Sequence, residues 1–156
     1  MINPTPAKFR AAVLALLFLL GAPNAGAMSC DSAAQALNQR LPFKIDEAEL
    51  RSVLKALNAS RNARLPDKFI TKKDAQRQGW QPGRDLWSVP ALHGKSIGGD
   101  RFGNHEGRLP AGNWREADLD YRGGHRGAKR LLFSASGMRR VTVDHYQTFV
   151  EISDCQ

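Results

Sequence analysis

Residues Trp114–Phe133 read WREADLDYRGGHRGAKRLLF, and the way this stretch folds decides the reading of the rest. From Trp114 to Tyr121 the residues alternate, which puts Glu116, Asp118 and Asp120 on one side of a strand and Ala117, Leu119 and Tyr121 on the other. The RGGHRGAK run is rich in glycine and cations and reads as a loop. Arg130–Phe133 starts the return strand, with Leu131–Phe133 an apolar run. Such a hairpin brings the carboxylate of Glu116 near Arg126 and Arg130. A carboxylate beside guanidinium groups suits chemistry at a phosphate, but a solvated face of surface ion pairs has the same composition.

N-terminal to the hairpin, Asp46–Asn58 (DEAELRSVLKALN) carries its acids in the first turn and its cations later, as a helix dipole favours. Leu50, Val53, Leu54 and Leu57 form one stripe to bury on a sheet. Residues 28–45 are polar and Ala-rich, a short helix or an extended lead-in. Thr71 and Asp74 make a capping-box-like start and Gly79 fits the far end, so a short helix begins at Lys72. Its first-turn N–H groups and the lysine suit an anion. Gln81–His93 reads as loop with one helical turn near Leu86. Gly94–Pro110, with five glycines, reads as a loop whose backbone can approach a ligand closely, and it lacks the P-loop spacing. Val141–Val143 and Gln147–Ile152 read as the last strands, bracketing Asp144, His145 and Tyr146. A histidine at such a corner can serve as acid or base near neutral pH. Helices first and strands after argue an α+β fold, with N-terminal helices packed on a mainly antiparallel sheet of about five strands.

The chain has 156 residues and a net charge of +8. Residues 1–27 have the pattern of a secretory signal: Lys8 and Arg10, then the apolar Ala11–Leu20, then Ala25-Gly26-Ala27. Ten apolar residues are too short for a retained bilayer anchor. Cleavage leaves 21 Lys and Arg against 15 Asp and Glu, a net +6 that favours a polyanionic partner or simple solubility. We divide the chain into the signal (1–27), an N-terminal extension with the first helix (28–64) and a C-terminal region (65–156), with 28–156 forming one compact domain. Cys30 and Cys155 stand near the ends of that domain, and an oxidising compartment would join them. So long a loop contributes roughly 4–5 kcal/mol in the chain-entropy view. Lipidation of Cys30 is a rival, but Ala27-Met28-Ser29-Cys30 is a poor lipoprotein signal. The four histidines have neither i,i+4 pairing nor a Cys neighbour, so no metal site and no cofactor is expected.

From Leu65 to Ile152 the chain resembles the barnase-like family of secreted, guanyl-preferring bacterial ribonucleases. The resemblance rests on LPDKFITK (65–72), GKSIGGDRFGNHEG (94–107), WREADLDY (114–121), the arginines of RGGHRGAKR (122–130) and DHYQTF (144–149). It implies Glu116 as general base toward the ribose 2′-OH and His145 as general acid toward the leaving 5′ oxygen. Arg126, Arg130 and Lys72 would stabilise the phosphate. It also implies Glu106 as the acceptor for guanine N1–H and N2–H₂, backbone at Gly103 and His105 for O6, and Asn104 shaping a loop that starts at Phe102. Tyr146 would line the site and Asp100 would brace it. The implied substrate is single-stranded RNA, the protein a monomer off the membrane, and an acidic inhibitor protein a second partner. The family pattern has arginine where this chain has His105, a small polar residue in place of Gly103, and an aromatic at His125. The Pro110–Trp114 loop is short, and the terminal cysteines are an addition. A non-catalytic RNA-binding module on the same scaffold is the alternative. A membrane-active protein is disfavoured by the lack of a strongly amphipathic basic helix.

Overall fold

The computed structural model describes Met1 and residues 27–156, so the secretory-signal expectation for residues 1–27 lies almost wholly outside the described residues. The elements in order are α1 (Cys30–Arg40), α2 (Glu47–Ala59), β1 (Phe69–Ile70), α3 (Lys72–Arg77), β2 (Ser96–Phe102), β3 (Trp114–Asp118), β4 (Arg130–Ser134), β5 (Arg139–Thr142) and β6 (Val150–Glu151). Two single 3₁₀ turns, Leu86–Ser88 and Pro90–Leu92, precede β2. All six strands form one sheet in sequence order. β1 runs parallel to β2, and every other pairing is antiparallel.

The decisive hairpin is present. Glu116 pairs with Leu132 and Asp118 with Arg130 across β3 and β4, and residues 119–129 form the connection. Ala117, Leu119, Leu131 and Phe133 pack with Leu37, Leu50, Val53, Leu54 and Leu57 from α1 and α2 in the main core. Leu132, facing the other way, packs with Leu109 and Trp114. The stripe read on α2 is therefore its buried face. Asp46 caps α2 through Glu49 N–H, and Ser29 caps α1 through Ser32 N–H.

The Gly94–Pro110 stretch departs from expectation. Its first half is β2, a strand of seven residues, and only the part after Phe102 is loop. A Cβ on Gly98 would come within 2.6 Å of the Phe69 ring and 3.0 Å of Ala117 Cβ, so this glycine admits close packing. Gly99, at φ +97°, sits where the β2–β3 register shifts between Gly98 and Asp100. Both glycines hide a strand from a reading based on apolar runs. β1 was missed because it has two residues, which brings the sheet from about five strands to six. The expected Gln147–Ile152 strand shrinks to Val150–Glu151, because residues 143–147 turn tightly.

Cys30 and Cys155 are bonded, with Cα atoms 4.8 Å apart, and tie α1 to the C-terminus. Asn58 of α2 donates to the Cys155 carbonyl at 2.7 Å, so α2 joins the same knot. Replacing both cysteines by serine should lower unfolding free energy by about 2–5 kcal/mol. Urea titration of the oxidised protein and the double variant measures this, and equal midpoints would show that the crosslink does not stabilise.

Candidate active site

The sheet face away from the helices gathers the charged residues. Asp100 on β2 stands opposite Glu116 on β3, and Asp118 stands opposite Arg130 on β4, which in turn faces Thr142 on β5. Alternation along β3 puts Glu116 and Asp118 on this one face. Both are buried, Glu116 at 6% and Asp118 at 2% exposure, and Arg130 is at 3%. Charges this deep require partners, and each has them.

Asp118 is the hub. Arg126 grips it bidentately, Nε to Oδ2 at 2.6 Å and Nη2 to Oδ1 at 2.8 Å. Arg130 Nε approaches Asp118 Oδ1 at 3.0 Å, and its Nη1 donates to the carbonyls of Gly127 and Lys129 at 2.7 and 2.8 Å. The hydrogen bonds to Asp118 raise the Arg126 pKa further, against the effect of burial. The sequence places both arginines near Glu116, and within that cluster their direct partner is Asp118. The signal was present in the i, i+2 spacing of Glu116 and Asp118, but composition does not say which acid an arginine chooses.

Glu116 is held by other groups. Lys72 Nζ lies 3.1 Å from Oε1, and the Tyr146 hydroxyl donates to Oε2 at 2.5 Å. Burial and then this bond to Glu116 push the Tyr146 phenol up to about 12, so it remains a donor. Tyr146 Oη also accepts from Arg130 Nε at 3.2 Å, linking the Glu116 and Asp118 clusters. Lys72 opens α3, capped by Thr71 as the spacing predicted. The anion at that helix start is the protein's own Asp100, whose Oδ2 accepts from Lys72 N–H at 2.9 Å. Asp100 thereby braces the element that aims Lys72 at Glu116.

His145 is exposed and stacks obliquely beside Tyr146, ring centroids 5.0 Å apart. His145 and Tyr146 both have left-handed backbones, φ +56° and +71°, uncommon for such residues. Asp144 enforces this turn. Its Oδ1 accepts from Thr142 Oγ1 (2.8 Å), Gln147 N–H (3.1 Å) and Thr148 N–H (2.9 Å), and Thr142 Oγ1 accepts from Tyr146 N–H at 3.0 Å. Burial raises the Asp144 pKa, but the Thr148, Thr142 and Gln147 hydrogen bonds outweigh it and hold the carboxyl at about 2. Neither Asp144 nor Thr142 was singled out from the sequence.

Beside Tyr146, a pocket of about 170 Å³ is lined by Phe102, Gly103, Asn104, His105, Glu106, Arg108, Tyr146 and Phe149. The Phe102 ring stacks on Tyr146, centroids 5.2 Å apart and planes 26° apart. Asn104, at φ +45°, closes the loop with its own amide, Nδ2 donating to Leu109 O at 2.8 Å and Oδ1 accepting from Leu109 N–H at 3.0 Å. A Cβ on Gly103 would fall 2.3 Å from the exposed His105 ring, which packs back over this glycine. Glu106, with a 71% exposed side chain, pairs with Arg108 at 2.7 Å. Arg108 Nη1 also donates to the carbonyls of Tyr146 (3.2 Å) and Gln147 (3.1 Å), joining this loop to the His145 turn. Arg108 was not anticipated. His125 is exposed on the arginine loop. The cleft thus offers a buried carboxylate, a histidine, three cations and a small aromatic pocket with an acidic rim.

A protein-family model described as ribonuclease matches residues 54–153. Over 95 residues the chain is 47% identical to a ribonuclease of Heyndrickxia coagulans, covering 59% of this chain and 86% of that protein. Ribonucleases of Bacillus intermedius and Bacillus pumilus match at the same 47% over 95 residues, and there the alignment covers 58% of each relative. All of β1 through β6 and the whole cleft fall within the matched span, while α1 lies outside it.

Asp118→Asn should destabilise by about 3–5 kcal/mol, because two buried or half-buried arginines lose their counter-charge. Urea unfolding tests this, and a change below about 1 kcal/mol would contradict the hub. Asp144 has a depressed folded pKa, so its stabilisation is complete above about pH 4 and is lost as pH falls through about 2. Asp144→Asn should therefore flatten the pH dependence of stability between about pH 4 and pH 2. An unchanged acid limb would show that the depressed group is another one.

Proposed function

The chain belongs to the ribonuclease family, and within it we propose an endoribonuclease that cuts single-stranded RNA 3′ of guanosine without a metal ion. The observation that carries this reading is the buried Glu116, oriented by Lys72 and Tyr146, next to two arginines fixed by Asp118. In the first step Glu116 takes the proton of the ribose 2′-OH as that oxygen attacks phosphorus, and His145 protonates the departing 5′ oxygen. The product is a 2′,3′-cyclic phosphate. In the second step the roles reverse: His145 takes a proton from water and Glu116 returns one to the 2′ oxygen. Arg126, Arg130 and Lys72 stabilise the charge gathered on the phosphate oxygens. Fixed donors need no reorganisation in the transition state, and Asp118 holds both arginines in place beforehand.

Guanine recognition is assigned to the pocket at residues 102–106. Adjacent donors at guanine N1 and N2 suit one carboxylate, Glu106, and adenine lacks that pair. Backbone groups at Gly103 and His105 serve O6, Asn104 holds the loop shape, and Phe102 and Tyr146 supply apolar walls. The pair with Arg108 is made through Glu106 Oε2, and each carboxylate oxygen accepts more than one bond, so the carboxylate can still accept from a base. DNA has no 2′-OH and would bind without being cut.

The disulfide supports an oxidising compartment, hence a secreted or periplasmic protein cleaved near residue 27, with residues 28–156 as one domain. Exported nuclease activity and a cationic cleft together suit an acidic inhibitor, and His105 would meet it with a weaker, pH-dependent charge than arginine.

Glu116→Ala and His145→Ala should each lower kcat by about 10²–10⁴ with the fold retained. Glu106→Ala should reduce the guanosine-over-adenosine ratio of kcat/KM while the adenosine rate changes little. Steady-state cleavage of defined oligonucleotides reads all three. Full activity in either of the first two folded variants would overturn the acid–base assignment. RNA binding without any turnover in the wild type would favour the binding module.

A further inference from the structure

On the sheet face opposite the cleft, three arginines converge without a counter-charge. Arg101 of β2 and Arg115 of β3 are directly opposed across the antiparallel pair. Arg115 shares its side of β3 with Ala117 and stands opposite Phe133, both in the core beneath the helices, so this pair belongs to the helix-side face. With Arg61 they line a groove of about 510 Å³ whose other walls include Asn62, Asn113 and Phe133. All three arginines are exposed, and among the described residues none has an ion-pair or side-chain hydrogen-bond partner. Among the described residues, no carboxylate lines the groove.

Directly opposed like charges on a sheet are destabilising. Most other cations near the sheet are engaged: Arg126 and Arg130 with Asp118, Lys72 with Glu116 and Arg140 with Glu151. The groove's rim is also built with care. Arg61 and Asn62 have φ of +52° and +60°, and this strained turn is locked from beneath. Asn62 Nδ2 donates to Ser134 O at 3.0 Å, and its Oδ1 accepts from the buried Arg139 Nε at 2.9 Å. Arg61 is thereby held at the edge of the groove that Arg101 and Arg115 also line.

We propose that this groove is a second phosphodiester site, which holds the backbone of a single-stranded nucleic acid beyond the nucleotide being cleaved. Planar guanidinium groups suit phosphate oxygens, and three of them without a carboxylate exclude an acid-neutralised structural role. Arg101 precedes Phe102, which lines the base pocket, and Arg115 precedes Glu116, so a strand leaving the cleft around the 103–113 loop reaches the groove on the reverse of the same two strands. The inference rests on the ribonuclease reading for its ligand, but its geometry is separate from the cleft.

The test is binding of a single-stranded DNA oligonucleotide, which has phosphates but no cleavable 2′-OH, by fluorescence anisotropy across a salt series. Arg101→Gln/Arg115→Gln is compared with Arg40→Gln/Arg84→Gln, an equal loss of charge at exposed positions away from the groove. The groove variant should reduce the slope of log K against log salt by about 1.4, from about 0.7 per phosphate contact, while the control changes it little. Its kcat/KM should fall on a long guanosine-containing RNA and stay at the wild-type value on a guanosine dinucleotide. Removing the like-charge pair should leave the urea midpoint unchanged or raised. Equal slopes in the two variants, or equal losses on long and short substrates, would overturn the second site. Absence of dinucleotide cleavage by the wild type would instead contradict the ribonuclease mechanism and leave the DNA comparison readable.

Discussion

Asp118 carries a negative charge at 2% exposure, and two guanidinium groups close around it. A lone carboxylate buried this far would take up a proton, and a lone buried arginine would be expelled toward water. Each group therefore requires the other, and the requirement fixes geometry as well as charge. Arg130 comes from β4 and Arg126 from the loop that joins β3 to β4, so one acid sets both the hairpin register and the course of a glycine-rich loop. Buried ion pairs are seldom large net stabilisers against well-packed apolar groups. Their use here is positional, since the arginines face the cleft without freedom to collapse onto Glu116.

From that hub the rest of the site is assembled by shared hydrogen bonds. Tyr146 touches Arg130 on one side and Glu116 on the other, and its backbone is held by Thr142 and, through Arg108, by the pocket loop. Lys72 reaches Glu116 from α3, whose start is bound by Asp100 of the neighbouring strand. Groups from α3, β2, β3, β4, the arginine loop and the His145 turn thus form one connected network. α1 and α2 contribute no group to the cleft. They pack on the opposite face of the sheet, and the Cys30–Cys155 bond closes that layer.

The parts legible in the sequence were those governed by local rules. Alternation placed Glu116 and Asp118 on one face, the apolar stripe gave α2 its buried side, and Thr71 with Asp74 located the start of α3. Family resemblance then pointed at the cleft residues, and the structure brings Glu116, Lys72, Tyr146 and Arg130 into contact. Less legible were features decided by distant partners. β2 was concealed because Gly98 and Gly99, which look like loop residues, admit the Phe69 ring and a register shift. The choice of Asp118 over Glu116 by the arginines is a matter of tertiary reach. Arg108 and the Asp144 turn were overlooked because short-range spacing does not reveal which backbone carbonyl or amide a side chain will meet.

In the proposed mechanism a carboxylate and a histidine, without a metal ion, move protons at an RNA phosphate next to a guanine-reading pocket. The most direct measurement uses DNA oligonucleotides with a single ribonucleotide, guanosine in one and adenosine in another, incubated with the oxidised protein and a chelator. The proposed mechanism requires cleavage at the guanosine, a 2′,3′-cyclic phosphate on the new end, and much slower cleavage at adenosine. Equal rates at the two bases would contradict the reading of the 102–106 pocket. No cleavage by the folded protein would contradict the mechanism itself.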